Sequence, residues 1–198
     1  MRIAKDELHS VLQLVQHAVA GRTTLPILTG IMFQGSASGT LSLTATDLEI
    51  AIRAELPCQF SDDIAIVLPA RYLTELVRRS PSEEIELTIQ PEDWTTIVRW
   101  PGSKFTINGF EPSQFPELPL MEQPSRVTIE NKLLLESLQK TLFSVSPDET
   151  RPILTGVQLN LSDQGLTAIS TDGFRISHIE LGQIDQPVAN LVIPGRSL

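Results

Sequence analysis

The sequence predicts an α+β protein made of two copies of one unit, each with two helices packed on antiparallel sheet, the second copy truncated. Three observations carry that expectation. The chain repeats itself: Pro26-Ile-Leu-Thr-Gly30 returns as Pro152-Ile-Leu-Thr-Gly156, Thr46-Asp47 as Thr171-Asp172, and Val67-Leu-Pro-Ala-Arg71 as Val192-Ile-Pro-Gly-Arg196. These blocks keep their order at an offset of about 125 positions, which duplication explains and chance does not. Within each copy the apolar residues switch between helical spacing and period two. Finally, 198 residues with 41% hydrophobic and 20% charged side chains give each copy enough apolar material for a core.

Composition also narrows the function classes. A single cysteine, Cys58, excludes an internal disulfide framework and fits a reducing cytosol. The start, Met1-Arg-Ile-Ala-Lys-Asp-Glu7, carries charges where a signal peptide needs an apolar run, and no later stretch is long enough to span a bilayer, so the chain reads as cytoplasmic with no membrane partner. A net charge of −9 argues against a nucleic-acid partner unless the charges are segregated.

Residues 1–4 alternate like a short strand. Asp6 and Glu7 suit the first turn of a helix, where the dipole favours acids. Leu8, Leu12, Val15 and Val19 form its inward stripe, and Gly21 is expected to end it. Its other face carries His9, Gln13, Gln16 and His17, a solvated surface rather than a metal site, because no acid or cysteine stands beside the histidines at ligand spacing. Ile31 and Phe33, then Leu41, Leu43 and Ala45, then Ile50 and Ile52 read as half-buried strands, with residues 35–39 as a hairpin turn. Ile64, Ile66 and Leu68 make another strand. Pro69 opens a helix with Leu73, Leu76 and Val77 inward and Arg71 and Arg78 outward, closed by Ser80-Pro81. Strands follow around Ile85–Ile89, Ile97–Trp100 and Phe105–Ile107.

Phe110 through Pro124 is proline-rich and aperiodic, and reads as a crossing between domains 1–120 and 121–198. In the second unit Val127 and Ile129 echo the opening strand. Asn131 is the expected cap of a helix in which Leu134, Leu138, Thr141 and Val145 stand where Leu8, Leu12, Val15 and Val19 stood. Strands are expected over 157–161, 166–169 and 176–179. Leu198 aligns with Leu73, so the second copy is expected to be a truncated one.

Among catalytic constellations the best available is the pair Thr46-Asp47 and Thr171-Asp172, as carboxylates of a metal-dependent enzyme. Each copy supplies one carboxylate in the same turn context, and an aspartate bonding its own backbone accounts for both. No phosphate loop, nucleophile elbow or zinc spacing occurs; no cofactor or metal is expected.

Leu25-Pro-Ile-Leu-Thr-Gly30 followed by Leu41-Ser-Leu-Thr-Ala-Thr-Asp-Leu-Glu-Ile50 closely resembles the first domain of the bacterial beta sliding clamp family, the processivity subunit of the replicative DNA polymerase III. Phe115-Pro-Glu-Leu-Pro119 resembles that family's inter-domain crossing, and Ser170-Thr-Asp-Gly-Phe-Arg-Ile176 its second-domain signature. The match runs the whole length of the chain and covers the first domain and part of the second of three. It implies a ring of two head-to-tail subunits around duplex DNA, with helices lining the hole and sheets forming the outer wall. The ring confers processivity on the polymerase and performs no chemistry. Sliding requires contacts to phosphates rather than to base edges.

What the resemblance implies residue by residue is as follows. Arg22, Arg71 and Arg196 face the duplex, joined by Lys132 and Lys140, whose face Glu136 shares. Acids at Asp62-Asp63, Glu83-Glu84, Glu92-Asp93, Glu117 and Glu122 fall in loops and strand ends, so an acidic exterior and a basic bore reconcile the net charge with DNA. Leu154, Thr171, Gly173, Phe174, Arg175 and Ile176 form a pocket for short apolar peptides of the replicative polymerase and the clamp loader. Family members often carry histidine where Phe174 stands. Phe105 and Ile107 match an edge strand at the subunit interface of the homodimeric ring, with a core strand as the competing reading. With no third domain present, this chain is not expected to close a ring alone. A protein-interaction scaffold without DNA encirclement, or an enzyme using Asp47 and Asp172, remains the alternative.

Overall fold

The computed structural model describes residues 1–21, 23–36, 39–59, 63–118, 128–162, 165–181 and 189–198. Arg22, Asp62, Glu122, Arg126, Val127 and the stretch 119–124 lie outside them. Two compact units emerge, Met1–Pro119 and Leu120–Leu198.

In the first unit β1 (Arg2–Ala4) runs directly into α1 (Lys5–Gln16). Leu8, Leu12 and Val15 are completely buried, as their spacing requires. The helix stops at Gln16, before the expected end at Gly21. Tertiary bonding overrides local propensity here. The Ala18 and Val19 amides turn back in tight i−3 bonds, and the Ala20 amide donates to the Leu28 carbonyl at 3.1 Å.

Strands β2 (Gly30–Ser36), β3 (Thr40–Thr46), β4 (Ala51–Pro57) and β5 (Ile64–Pro69) form an antiparallel sheet in the order β4-β3-β2-β5. After α2 (Ala70–Arg79), strands β6 (Glu84–Gln90), β7 (Thr95–Trp100) and β8 (Ser103–Asn108) join β1 in a second sheet, β1-β6-β7-β8. One core takes residues from both helices and both sheets, including Leu12, Phe33, Leu73 and Leu87. Burying each such side chain contributes roughly 1.5–3 kcal/mol. The register Ile31↔Leu68 and Phe33↔Ile66 aligns these residues toward that core.

The alternate residues Met32 and Val67 are buried too. Ile27, Leu28 and Phe115 cover them in a second cluster. The first part of the crossing is therefore docked rather than free. Phe110 exchanges backbone bonds with Val67 at 2.8 and 3.2 Å, and Phe115 is 8% exposed.

In the second unit α3 (Asn131–Thr141) precedes β9 (Gly156–Ser162), β10 (Gly165–Thr171), β11 (Ile176–Leu181) and β12 (Ala189–Pro194). The order β11-β10-β9-β12 reproduces β4-β3-β2-β5. The repeated Pro-Ile-Leu-Thr-Gly acquires a physical reason in both copies. Proline begins a one-turn 3-10 helix, and the threonine hydroxyl closes it on the proline carbonyl, at 2.7 Å from Thr29 and 2.8 Å from Thr155. The glycine then lets the neighbouring strand approach. A Cβ on Gly30 would stand 2.5 Å from Val67 Cγ1, and one on Gly156 2.8 Å from the Ile193 carbonyl oxygen.

Three local expectations for this unit change. Asn131 is the first helical residue, Glu130 occupies the cap position, and no side chain bonds there. Ile129 lies in no strand, because the described residues hold no counterpart of β6 for it to pair with as β1 does. The seam of α3 mixes buried polar residues with the expected Leu138, where that of α1 is apolar. Ser137, Thr141 and Ser144 are buried, Ser170 Oγ donates to the Thr141 carbonyl at 2.6 Å, and Ser177 Oγ donates to the Lys140 carbonyl.

Candidate functional site

The cations of α2 are held in different ways. Glu75 accepts from Arg78 at 2.8 and 3.1 Å and from Arg79 at 3.1 Å, so those guanidiniums are tied along the helix. The bonds from Arg78 hold the Glu75 carboxyl below its ordinary range. Arg71 is exposed and makes no ion pair among the described residues. On α3, Lys140 pairs with Glu136 at 2.5 Å, and Lys132 lies close enough to act on the same carboxylate. Arg196 is exposed in the short turn Gly195–Ser197. His9, expected on the solvated face of α1, is half-buried, with Nε2 buried and unpartnered.

The second-unit turn is built by its own side chains. Asp172 Oδ1 accepts from the Phe174 and Arg175 amides, both at 3.0 Å. Thr171 Oγ1 accepts from the Gly173 amide at 3.1 Å and donates to the Arg175 carbonyl at 2.7 Å. Gly173 sits at φ +90, a conformation glycine adopts without strain. The backbone bonds of Phe174 and Arg175, then the Arg175 guanidinium at 2.9 Å, lower the Asp172 carboxyl from its ordinary value. Arg175 also lies over the Phe143 ring, 5.6 Å from its centroid. Beside the turn a cleft of about 330 Å³ is lined by Gly173 and the fully exposed Phe174 ring, together with Ser146–Asp148 and Arg151.

Strand β8 is the outer strand of its sheet. Phe105 is 39% exposed and leans on Trp100, ring centroids 4.9 Å apart. Ile107 is 7% exposed and belongs to the core. The groove between β8 and α2 is lined by Arg71, Tyr72, Arg78, Phe105, Ile107 and Asn108 among others.

Residues 1–119 match the model of the DNA polymerase III beta subunit, N-terminal domain, and residues 128–198 that of its central domain. The chain belongs to the DNA polymerase III beta subunit family. The beta sliding clamps of Halalkalibacterium halodurans and Bacillus subtilis are each 36% identical to it, over 93% and 99% of this chain and 51% and 54% of those proteins. The crystal structure of the Bacillus subtilis DNA polymerase sliding clamp superposes with a TM-score of 0.85 at 35% identity, covering 99% of this chain and 54% of that one. The Thermotoga maritima DNA polymerase III beta subunit gives 0.80 at 25% identity, covering 99% of this chain and 53% of that one. The chain spans about half the length of the curated relatives it matches.

Of the positions the beta subunit resemblance singled out, Gly173 and Phe174 line the cleft. Thr171 acts inside the turn, and Arg175 is engaged by Asp172 and Phe143. Ile176 is 74% exposed at the start of β11. Leu154 is half-buried, and its carbonyl accepts from the Ser146 amide at 2.9 Å. Arg151 and the 146–148 turn were missed. Their one signal was the Ser-Pro-Asp-Glu-Thr-Arg run ahead of Pro152, a turn composition without a periodic pattern.

Proposed function

We propose that this chain supplies the first domain, residues 1–120, and part of the second, 121–198, of a DNA sliding clamp. Such a ring encircles duplex DNA as a head-to-tail homodimer and tethers the replicative polymerase. The observation that carries the reading is the repeated sheet, β4-β3-β2-β5 and β11-β10-β9-β12, each unit with a helix packed on it, in the order of the family's first two domains. The mechanism is topological and contains no catalytic step of its own. Asp47 and Asp172, the carboxylates an enzyme would need, each accept two backbone amides of their own turn, which favours the clamp over that alternative. The location that goes with this role is cytoplasmic; no described helix is long and apolar enough to cross a membrane.

Arg22, Arg71 and Arg196 are proposed to meet phosphates, with Lys132 and Lys140 adding less because Glu136 offsets them. The groove holding Arg71 also holds Phe105, so a strand added to the β8 edge of the sheet at the subunit interface passes beside this cation. The cleft at Gly173 and Phe174 is proposed to receive apolar peptides of the polymerase and clamp loader. A full-length ring carrying these residues, loaded on nicked circular duplex, is expected to stay bound until the circle is linearised. Release from the intact circle overturns the reading. Replacing Arg71 and Arg196 by alanine is expected to flatten the salt dependence of DNA contact, by a slope change of about 1–2.

A further inference from the structure

We infer that Glu75 is a positioning residue for DNA contact: it competes with phosphate for Arg78 and Arg79, so that α2 grips the duplex mainly through Arg71 and releases it easily. The inference rests on the reading of this chain as part of a sliding clamp and adds what sets the strength of one helix's hold on DNA.

Arg71, Glu75, Arg78 and Arg79 stand at i, i+4, i+7 and i+8 along α2, which puts all four on one face of the helix. Glu75 occupies the middle of that face. Its Oε1 accepts from Arg78 Nε at 3.1 Å and its Oε2 from Arg78 Nη2 at 2.8 Å, two bonds along one edge of the guanidinium. Oε2 also accepts from Arg79 Nε at 3.1 Å. Arginine holds a phosphate through the same two-pronged edge, so carboxylate and phosphate compete for Arg78. Arg71 meets no carboxylate within 4 Å among the described residues, and nothing of that kind stands between it and a phosphate.

The competition is close. The side chains of Arg78, Arg79 and Glu75 are 52%, 74% and 46% exposed, and ion pairs this open to water are weak. The bonds therefore do not lock the arginines in place. Instead Glu75 cancels one of the two positive charges that the last turn of α2 would otherwise show a phosphate. Helix α3 carries the same device: Glu136 stands four positions from both Lys132 and Lys140 and bonds Lys140. Because α3 is the repeat counterpart of α1 and not of α2, duplication does not account for the recurrence. An acid set among the cations of both helices suits a ring that moves along DNA, where each phosphate contact must be given up as readily as it is made.

The test follows fluorescently labelled full-length rings carrying these residues as they diffuse along stretched duplex DNA. Glu75→Gln keeps the size of the side chain and removes its charge. It is expected to slow diffusion roughly two- to fivefold at about 50 mM salt, the factor that one exposed charge contact supplies. The slowing is expected to fade by about 0.3 M salt, as the released charge is screened. Glu75→Asp is expected to keep most of the speed, and adding Arg78→Gln and Arg79→Gln to Glu75→Gln to restore it. Glu92→Gln, which removes an equal charge from the exposed turn between β6 and β7, is expected to change nothing. The inference is overturned, with the clamp reading left standing, by a Glu75→Gln ring that diffuses like the unaltered one or by equal slowing in Glu75→Asp or Glu92→Gln. Slowing that survives high salt or the loss of both arginines overturns it as well. If the unaltered ring leaves intact circular duplex, the clamp reading falls and this inference with it.

Discussion

Residues 46–50 and 171–175 make the same turn and present different surfaces. In each, a threonine hydroxyl accepts from the amide two residues on and donates to the carbonyl four residues on, at 3.0 and 2.8 Å in the first unit and 3.1 and 2.7 Å in the second. In each, the aspartate accepts two amides, and the following residue takes a left-handed φ, +77 at Leu48 and +90 at Gly173. Leu48 holds that conformation against its side chain, whereas Gly173 holds it freely. The side chains beyond then diverge. Leu48 and Glu49 are exposed, and Ile50 packs toward the core. Gly173 opens a cleft, Phe174 borders it, and Arg175 turns back to Asp172. Duplication preserved the bonds that make the turn and left free the residues that do not, so the cleft proposed as a peptide site borders the turn of the second copy while both turns keep the same bonds.

Substitutions at the shared glycines test that the two copies are one backbone. Gly30→Ala and Gly156→Ala are each expected to destabilise their own unit by about 1–3 kcal/mol, because the added Cβ meets a neighbouring strand. Hydrogen exchange resolved by unit is the measurement, and a large effect in only one unit breaks the comparison.

Exchanging the turn residues sharpens it. Gly173→Leu is expected to cost about 1–2 kcal/mol in the second unit through left-handed strain. The space is open, the nearest atom being Arg151 Nη1 at 3.9 Å, so a larger loss points to something other than φ. Leu48→Gly is expected to stabilise the first unit by no more than about 0.5 kcal/mol, since relief of strain is partly offset by the flexibility of glycine in the unfolded chain. A clear loss there assigns Leu48 a packing role.

The smallest effect is a pH dependence. The Asp172 carboxyl is lowered in the folded chain, mainly by the Phe174 and Arg175 amides. Its stabilising contribution is therefore complete above the ordinary carboxylate value of 3.8 and is lost as pH falls through the lower folded value. Thermal unfolding of the second unit is expected to weaken below about pH 4, and Asp172→Asn to reduce that slope. An unchanged slope places the acid sensitivity at other carboxylates, Asp148 among them.

Much of this was legible in the sequence because it is local. The Pro-Ile-Leu-Thr-Gly repeat is a turn closed by its own threonine, and Thr-Asp followed by Leu or Gly is a turn closed by its own aspartate. Helix ends were not legible in the same way. Gly21 looked like the stop of α1, yet the Leu28 carbonyl draws the Ala20 amide off the helix axis first. Phe115 read as part of a linker, and its burial depends on Met32 and Val67 lying uncovered on a distant sheet. Periodicity places Arg71 and Arg78 alike on the outer face, but of these two Glu75 ties down Arg78 alone.

By itself, then, the sequence determined the duplication, the α+β class, the two strand sets and the turn chemistry, since these depend on residues a few positions apart. Tertiary structure decided which arginine stays unpaired, which face of β2 is covered twice, and that Arg71 and Phe105 border one groove. Those depend on groups far apart in the chain being brought within bonding range, and no spacing along a single segment encodes that distance.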